Sequence, residues 1–471
     1  MSGEMRIPRH VVFAVLMLTT SAVAGVAQES LPADVRTRID TSVAEVLKGT
    51  GAPGASIAVV RDGAIAYVHA YGLAVIDPMV PATPEMQYSI GSISKQFTAT
   101  AILMLAEEGK LSLDDTVSRW LPNLTRANEV TLREVLSMTS GYQDFWPQDY
   151  VMPPMLLPTT VQQILDGWAR KPLDFEPGTK WQYSNTNYVI AGAIVEKVSG
   201  MPLMQFLQQR VFGRLNMKTV VNSDEAPLGP GEPMRYLRYA LGPLRPAPKE
   251  GKGWRFAAGE LAMTASDLAR WDISMIDRSV LKPASYRAME TEVLLANGVA
   301  TGYGLGVQVS APGGRRLISH SGEVSGFTAQ NSVYPDDRTA VVVLTNLDAT
   351  GASGQIANRI ASALFTVTDP TADAATEQAK KIYEGLQHGQ IDRSLFTSNA
   401  NAYFSSQALA DFASSLGPLG APQSFTQAGQ TLRGGMVFRR FQIKYPERTL
   451  TLTTFTMPDG KIEQYQIAAT E

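Results

Sequence analysis

The chain has 471 residues, 44% hydrophobic and 18% charged, which is ample apolar material for a core and, at this length, for two domains. A formal charge of -3 offers no basic face for nucleic acid, and the absence of cysteine excludes thiol catalysis, disulfides and cysteine-based metal sites. The four histidines, His10, His69, His320 and His388, are too scattered for a zinc motif, so the expected chemistry uses neither metal nor cofactor.

The N-terminus places Arg6, Arg9 and His10 before the apolar run Val11 to Leu18, then small residues ending at Ala24 or Ala27. That is the pattern of a secretory signal peptide over residues 1–27, with a core too short for a membrane span. The expectation is a periplasmic or secreted protein with no stable membrane insertion after processing. Ala33 to Lys48 has amphipathic helical spacing, and strands follow at Ala55 to Arg61 and Ala64 to Tyr71, joined at the hairpin signal Asp62-Gly63. Gly49 to Gly54 matches a dinucleotide fingerprint but lies between helix and strand, the reverse of the required order, and reads as a loop.

The run Tyr88-Ser-Ile-Gly-Ser92-Ile-Ser-Lys95 sets a hydroxyl and an amine one turn apart at the start of an apolar helix that extends to about Glu108 and is ended by Gly109. An unprotonated Lys95 would accept the Ser92 proton, with the helix N-terminus stabilising the developing negative charge. Ser-x-x-Lys alone is weak, since Ser279-Val-Leu-Lys282 repeats it, but Pro283 after Lys282 makes Ser279 a loop serine. Further along, Met152-Pro-Pro-Met155 reads as a loop over a cleft. Tyr183-Ser-Asn185 precedes a second apolar helix, Val189 to Val198. The stretch Pro227 to Pro248, with Tyr236, Tyr239 and Trp254, is rich enough in proline and aromatics to shape an acyl pocket.

Strands are expected at Tyr303 to Val309, Arg316 to His320, Phe327 to Tyr334 and Thr339 to Asn346, sharing one antiparallel sheet with the early hairpin, and a helix at Gly354 to Phe365 covers it. The triplet His320-Ser321-Gly322 ends the second of these strands. Thr366 to Thr376 looks like a linker. The remainder, 377–471, has two helical runs followed by strands at Gln423 to Leu432, Met436 to Tyr445, Arg448 to Met457 and Lys461 to Ala468. Its helix-then-meander order resembles the cone-shaped α+β fold of the nuclear transport factor superfamily, which points to an accessory role or a homo-oligomer formed through this domain.

Nucleophile with amine, tyrosine with amide, and a cationic residue with glycine occur in that order. At these residues the chain resembles the serine β-lactamase and penicillin-binding family, most closely the branch of class C β-lactamases, D-alanyl-D-alanine carboxypeptidases, D-aminopeptidases and esterases. Supporting phrases include Leu132 to Gly141, Phe212 to Met217, Met263 to Leu268 and Gly302-Tyr-Gly-Leu-Gly306. The resemblance implies a fold of the α/β (α+β) class, a β-lactamase-like antiparallel sheet flanked by helices with a helical insertion, over residues 28–365, with a small C-terminal α+β domain. It makes Ser92 the acylated nucleophile, Lys95 and Tyr183 the proton-transfer pair, Asn185 a substrate-amide contact, and His320, Ser321, Gly322 and Glu323 the substrate-binding strand. The oxyanion donors it implies are the backbone N–H groups of Ser92 and Glu323.

Lysine among apolar groups loses charge, so Lys95 is expected to be neutral at pH 7 and to favour tyrosinate at Tyr183. Where the family usually carries Lys-Thr-Gly, His320 supplies no permanent cation, so an esterase or D-aminopeptidase-like amidase ranks above a true β-lactamase. Arg316, four residues before His320, would restore the charge if it shared that strand face, with Arg315 as the alternative. The expected partner is a small ester, an amide or a peptidoglycan-derived peptide. A β-lactamase or D-Ala-D-Ala carboxypeptidase, and a slowly turning over penicillin-binding sensor, are the other readings.

Overall fold

The computed structural model describes residues 31–148, 150–225, 232–365 and 371–469. The signal peptide expected over 1–27 lies outside the described residues. The chain divides into two units, Met1–Leu364 and Phe365–Glu471.

In the first unit, helix α1 (Ala33–Thr50) ends on Gly51 in the left-handed conformation and leads into the hairpin β1 (Gly54–Arg61) and β2 (Ala64–Val75), followed by the short β3 (Val80–Pro81). The chain returns to the same sheet more than 200 residues later, as β4 (Gln308–Ser310), β5 (Leu317–Val324), β6 (Phe327–Tyr334) and β7 (Thr339–Thr345). The seven antiparallel strands lie in the order β3-β2-β1-β7-β6-β5-β4, so the first strand and the last are neighbours, with Val59 opposite Val341. Both are apolar at successive positions because both faces are covered. Ile57, Val59, Val341 and Val343 pack on α1 and on α5 (Ala352–Leu364), while Ala58, Val60, Val342 and Leu344 point into the helical half.

That half is built on α2 (Ser94–Glu107), which carries Lys95 and is buried from Ser94 through Leu105. A helix apolar on all sides belongs inside, and each Leu, Ile or Phe it buries contributes about 1.5–3 kcal/mol. Helices α3 (Asn185–Ser199) and α4 (Ala265–Asp277) complete the same core. Ser279 is an exposed loop residue and Lys282 caps the helix that starts at Pro283.

One expected strand is mostly absent. Of Tyr303 to Val309, only the end is extended, as part of β4, because Gly302 and Gly306 take positive φ (66° and 79°) and turn the chain. At Gly306 a Cβ would stand 2.9 Å from the Lys95 carbonyl oxygen and 3.0 Å from the Tyr188 hydroxyl, so glycine lets this turn press against α2.

The second unit holds α6 (Ala372–Gln387), α7 (Ser398–Tyr403) and α8 (Ser406–Leu416), then a four-stranded antiparallel meander of β8 (Ser424–Arg433), β9 (Met436–Lys444), β10 (Thr449–Thr456) and β11 (Ile462–Ala469). Ile382, Tyr383 and Leu386 of α6 pack with Phe441, Ile443 and Leu452 of the sheet. The linker read at Thr366 to Thr376 is therefore too long: residues 366–370 lie outside the described residues, and Ala372 to Thr376 already belong to α6. The alanines that made the stretch look featureless are the strongest helix formers.

Candidate active site

Ser92 sits in the 3-10 turn Gly91–Ile93, which runs directly into α2 and places its hydroxyl beside the Lys95 amine, Oγ to Nζ 2.9 Å. Lys95 is fully buried, and its Nζ also lies 2.8 Å from Asn185 Oδ1 and 2.8 Å from the Ala258 carbonyl oxygen. Both of those partners only accept. A neutral amine spends its two N–H bonds on them and turns its lone pair to Ser92, which is the arrangement of a base ready to take the hydroxyl proton. Burial pulls the Lys95 pKa from 10.5 down to about 7, with the Asp144 carboxylate pulling the other way, so the neutral form is well populated near neutrality.

Tyr183 completes the trio. Its hydroxyl shares a hydrogen bond with Ser92, and Lys95 Nζ stands 5.0 Å from its ring centroid. Burial raises its pKa far above 10, the Ser92 bond opposing and the Asp144 charge adding to the rise. This reverses the tyrosinate expectation. The lysine lies over the ring face and is itself half discharged, so it does not compensate the desolvation of a phenolate, and Tyr183 stays a proton donor.

Asn185, the first residue of α3, is placed differently from a free substrate contact. Its Nδ2 group faces Asp144 Oδ2 and the Trp146 carbonyl oxygen, each at 3.3 Å, and its Oδ1 faces Lys95, so its polar atoms are engaged by protein groups.

His320 lies on β5, 1% exposed, its ring centroid 6.2 Å from that of Tyr183. Its Nδ1 is 2.6 Å from the Ser321 carbonyl oxygen and must donate there; its Nε2, 2.9 Å from the Tyr303 hydroxyl, then accepts from it. Burial pushes the imidazole pKa from 6.5 down to about 4, with the Lys95 charge adding, against the Ser321 hydrogen bond. Both ring nitrogens are occupied and the ring is neutral at pH 7. Neither neighbouring arginine restores the charge: Arg316 Nη2 bonds Glu290 Oε2 at 2.9 Å, and Arg315 pairs with Asp337. Arg255, which lines the cleft, is 2% exposed, lies 3.7 Å and 3.9 Å from Asp224 and Glu250 and donates to the Ser223 carbonyl oxygen at 2.5 Å.

The other half of the expected oxyanion site is held by glycine. A Cβ at Gly322 would stand 1.9 Å from the Ile90 carbonyl oxygen, and one at Gly91, whose φ is 51°, would stand 2.6 Å from Glu323 N. The backbones carrying Ser92 N and Glu323 N therefore meet at two glycines with no side chain between them. The Glu323 carboxylate accepts from Ala349 N at 2.7 Å, while Ser321 is exposed and borders the cleft.

Ser92, Tyr183, Asn185, His320, Ser321 and Glu323 thus line one cavity of about 570 Å³, which Phe145, Trp146 and Trp254 also line. The Met152 to Met155 segment is tied down, with Met155 buried and its carbonyl oxygen accepting from Gly251 N at 2.8 Å. Of the aromatic residues expected to shape the pocket, only Trp254 does so: Tyr236 is buried under the sheet beside α1 and Tyr239 is 73% exposed. Among the site residues that the sequence reading does not single out are Asp144 and Tyr303, besides the cleft-lining Phe145, Trp146 and Arg255. Asp144 was signalled by a lone carboxylate inside Tyr142-Gln-Asp-Phe-Trp146, and Tyr303 by the glycines on either side of it.

A model of the β-lactamase family matches residues 39–364 of this chain. The chain belongs to that family. Penicillin-binding protein 4* of Bacillus subtilis is 30% identical over 304 residues, 60% of this chain and 66% of that protein, and D-aminopeptidase of Brucella anthropi is 26% identical over 357 residues, 74% and 65% respectively. The matches therefore span just under two thirds of these relatives' own length. Among solved structures, the octameric penicillin-binding protein homologue of Pyrococcus abyssi superposes with a TM-score of 0.63 at 22% identity, over 93% of this chain and 96% of that one, a likeness of fold. The shared fold is a mixed α/β architecture with a helix-flanked antiparallel sheet, and this chain carries a small C-terminal sheet domain as well.

Proposed function

We propose that this β-lactamase-family chain is a serine hydrolase that cleaves small esters or D-amino-acid amides and peptides through an acyl-enzyme on Ser92. The carrying observation is the 2.9 Å contact between Ser92 Oγ and a buried lysine whose other two partners only accept. In the proposed cycle the Ser92 proton passes to Lys95 Nζ as Oγ bonds to the substrate carbonyl carbon. The oxyanion is held by the backbone N–H groups of Ser92 and Glu323, each worth about two to three orders of magnitude in rate. As the tetrahedral intermediate collapses, the bond to the leaving amine or alkoxide breaks and Tyr183 supplies its proton; the Lys95 ammonium then gives up the proton it took from Ser92 to the phenolate, restoring neutral lysine and tyrosine beside the acyl ester. Water then repeats the sequence on the acyl ester, releasing the acid and restoring Ser92.

Neutral or amine-bearing substrates are favoured over β-lactams and peptides recognised by a carboxylate. The third-motif histidine is uncharged, and the cleft-lining Arg255 is already compensated by Asp224 and Glu250. The D-aminopeptidase relative supports the amide arm of this reading. Export is proposed from the basic, apolar and small-residue order of residues 1–27, and self-association through the C-terminal domain is proposed from the helix-then-meander order of that domain.

The test is a fluorophosphonate probe with mass mapping of the labelled residue, run beside p-nitrophenyl acetate, a D-alanine p-nitroanilide, nitrocefin and a D-Ala-D-Ala peptide. Label on Ser92, lost in Ser92→Ala, with ester or D-anilide turnover above nitrocefin, is the expected result. Label on another residue, or nitrocefin as the fastest substrate, would overturn it.

A further inference from the structure

We propose that Asp144 is a positioning residue for the lysine base, holding the Asn185 amide in the one orientation that leaves the Lys95 lone pair to Ser92. The inference rests on the reading of Ser92 and Lys95 as nucleophile and base.

The geometry is a three-member relay. Asp144 Oδ1 accepts from Trp146 N at 3.0 Å and from Asn185 N at 2.9 Å, and its Oδ2 accepts from Asn185 Nδ2 at 3.3 Å. All three partners are N–H donors, which suits a carboxylate and gives a carboxylic proton no acceptor among them. Asn185 N also opens α3, so the carboxylate sits at a helix N-terminus, where negative charge is stabilised. With Nδ2 held between Asp144 and the Trp146 carbonyl, Asn185 has only Oδ1 to offer Lys95, at 2.8 Å.

Turning that amide over would set its oxygen against a carboxylate and a carbonyl, and bring its NH2 to the lysine. A neutral Lys95 would then accept from Asn185 instead of from Ser92, and the base would be spent inside the protein. Asp144 opposes that state at both ends, and as a counter-charge it also favours the ammonium that exists after proton transfer.

The groups around Lys95 are few. From its own side comes Ser92, from the segment before α3 Tyr183, from α3 Asn185 and Tyr188, the latter with its ring centroid 5.6 Å from Nζ, from the Ala258 segment a carbonyl, and from β5 the neutral His320. Asp144 is the carboxylate whose charge registers on the lysine.

The experiment measures the rate of ester hydrolysis and of Ser92 phosphonylation against pH for wild type, Asp144→Asn and Asp144→Glu. Lys95 works as a base only when deprotonated, so the rate falls below its pKa. Removing the counter-charge lowers that pKa and moves the acid limb of Asp144→Asn down by about half a pH unit or more. Loss of the fixed amide lowers its plateau by about a hundredfold, the cost of a misplaced catalytic group. Asp144→Glu, with its charge kept, holds the limb in place and loses less rate. An Asp144→Asn enzyme with the wild-type limb and plateau overturns the inference. Should that variant not fold, a limb that moves down in Asp144→Glu overturns it instead. Wild type that takes no label at Ser92 refutes the catalytic reading itself, a separate outcome.

Discussion

Lys95 on α2 and His320 on β5 are both buried at one site, and burial strips charge from both. Their environments then diverge. Lys95 keeps a counter-charge in Asp144 and a short contact to the Ser92 hydroxyl, so it hovers near neutrality and can cycle between amine and ammonium. His320 has the Lys95 charge against it, donates to the Ser321 carbonyl oxygen and accepts from Tyr303, so it stays neutral and fully engaged. Two basic residues in one site thus differ in what they can do, the proposed base keeping a lone pair toward Ser92 and the imidazole having both nitrogens engaged, and desolvation alone does not separate them. Their partners do.

The contrast can be broken at four points. Lys95→Met keeps the apolar stem and removes the amine; ester hydrolysis is expected to fall by about 10²- to 10⁴-fold, as when a general base is lost, and a variant as fast as wild type would take the base role from Lys95. Gly322→Ala drives a methyl group toward the Ile90 carbonyl oxygen, parting the Ser92 and Glu323 backbones. A loss of about two to three orders of magnitude in kcat/KM is expected, with Ser321→Ala as the control that leaves that approach intact.

The third point is acid stability. The folded pKa of His320, about 4, lies below its unfolded value of 6.5, so the unfolded chain binds the proton first and stability falls as pH drops from 6.5 toward 4. The full penalty, about 3 kcal/mol, is present below pH 4 and absent above 6.5. His320→Gln removes this slope in that window, read from denaturant midpoints at each pH, and an undiminished slope would place the titration elsewhere. The smallest effect is expected from Arg316→Ala. Because Arg316 is bound to Glu290, which Arg278 also pairs, the ratio of rates on neutral and carboxylate-bearing esters should not move, and stability should change by less than about 1 kcal/mol. A changed ratio would bring Arg316 into the site.

Local pattern made much of this protein legible. Ser92 and Lys95 are one turn apart, His320 and Gly322 share one strand, and the apolar runs of β1, β7 and α2, bounded by turn residues, mark buried elements that any reader of the chain can find. The overlong linker and the overlong strand arose where composition misled: alanines in the first case, and two glycines that bend an apolar run in the second.

What the residues alone determined, then, is the inventory and the order: a hydroxyl, an amine, a phenol, an amide and an imidazole, each tied to its own helix or strand by short-range periodicity. The tertiary structure decided which of them are charged and which are free. Asp144 reaches Asn185 across 41 residues, Tyr303 reaches His320 across 17, and Glu290 draws Arg316 away across 26. Protonation depends on desolvation and on partners brought close in space, and neither quantity is carried by spacing along the chain.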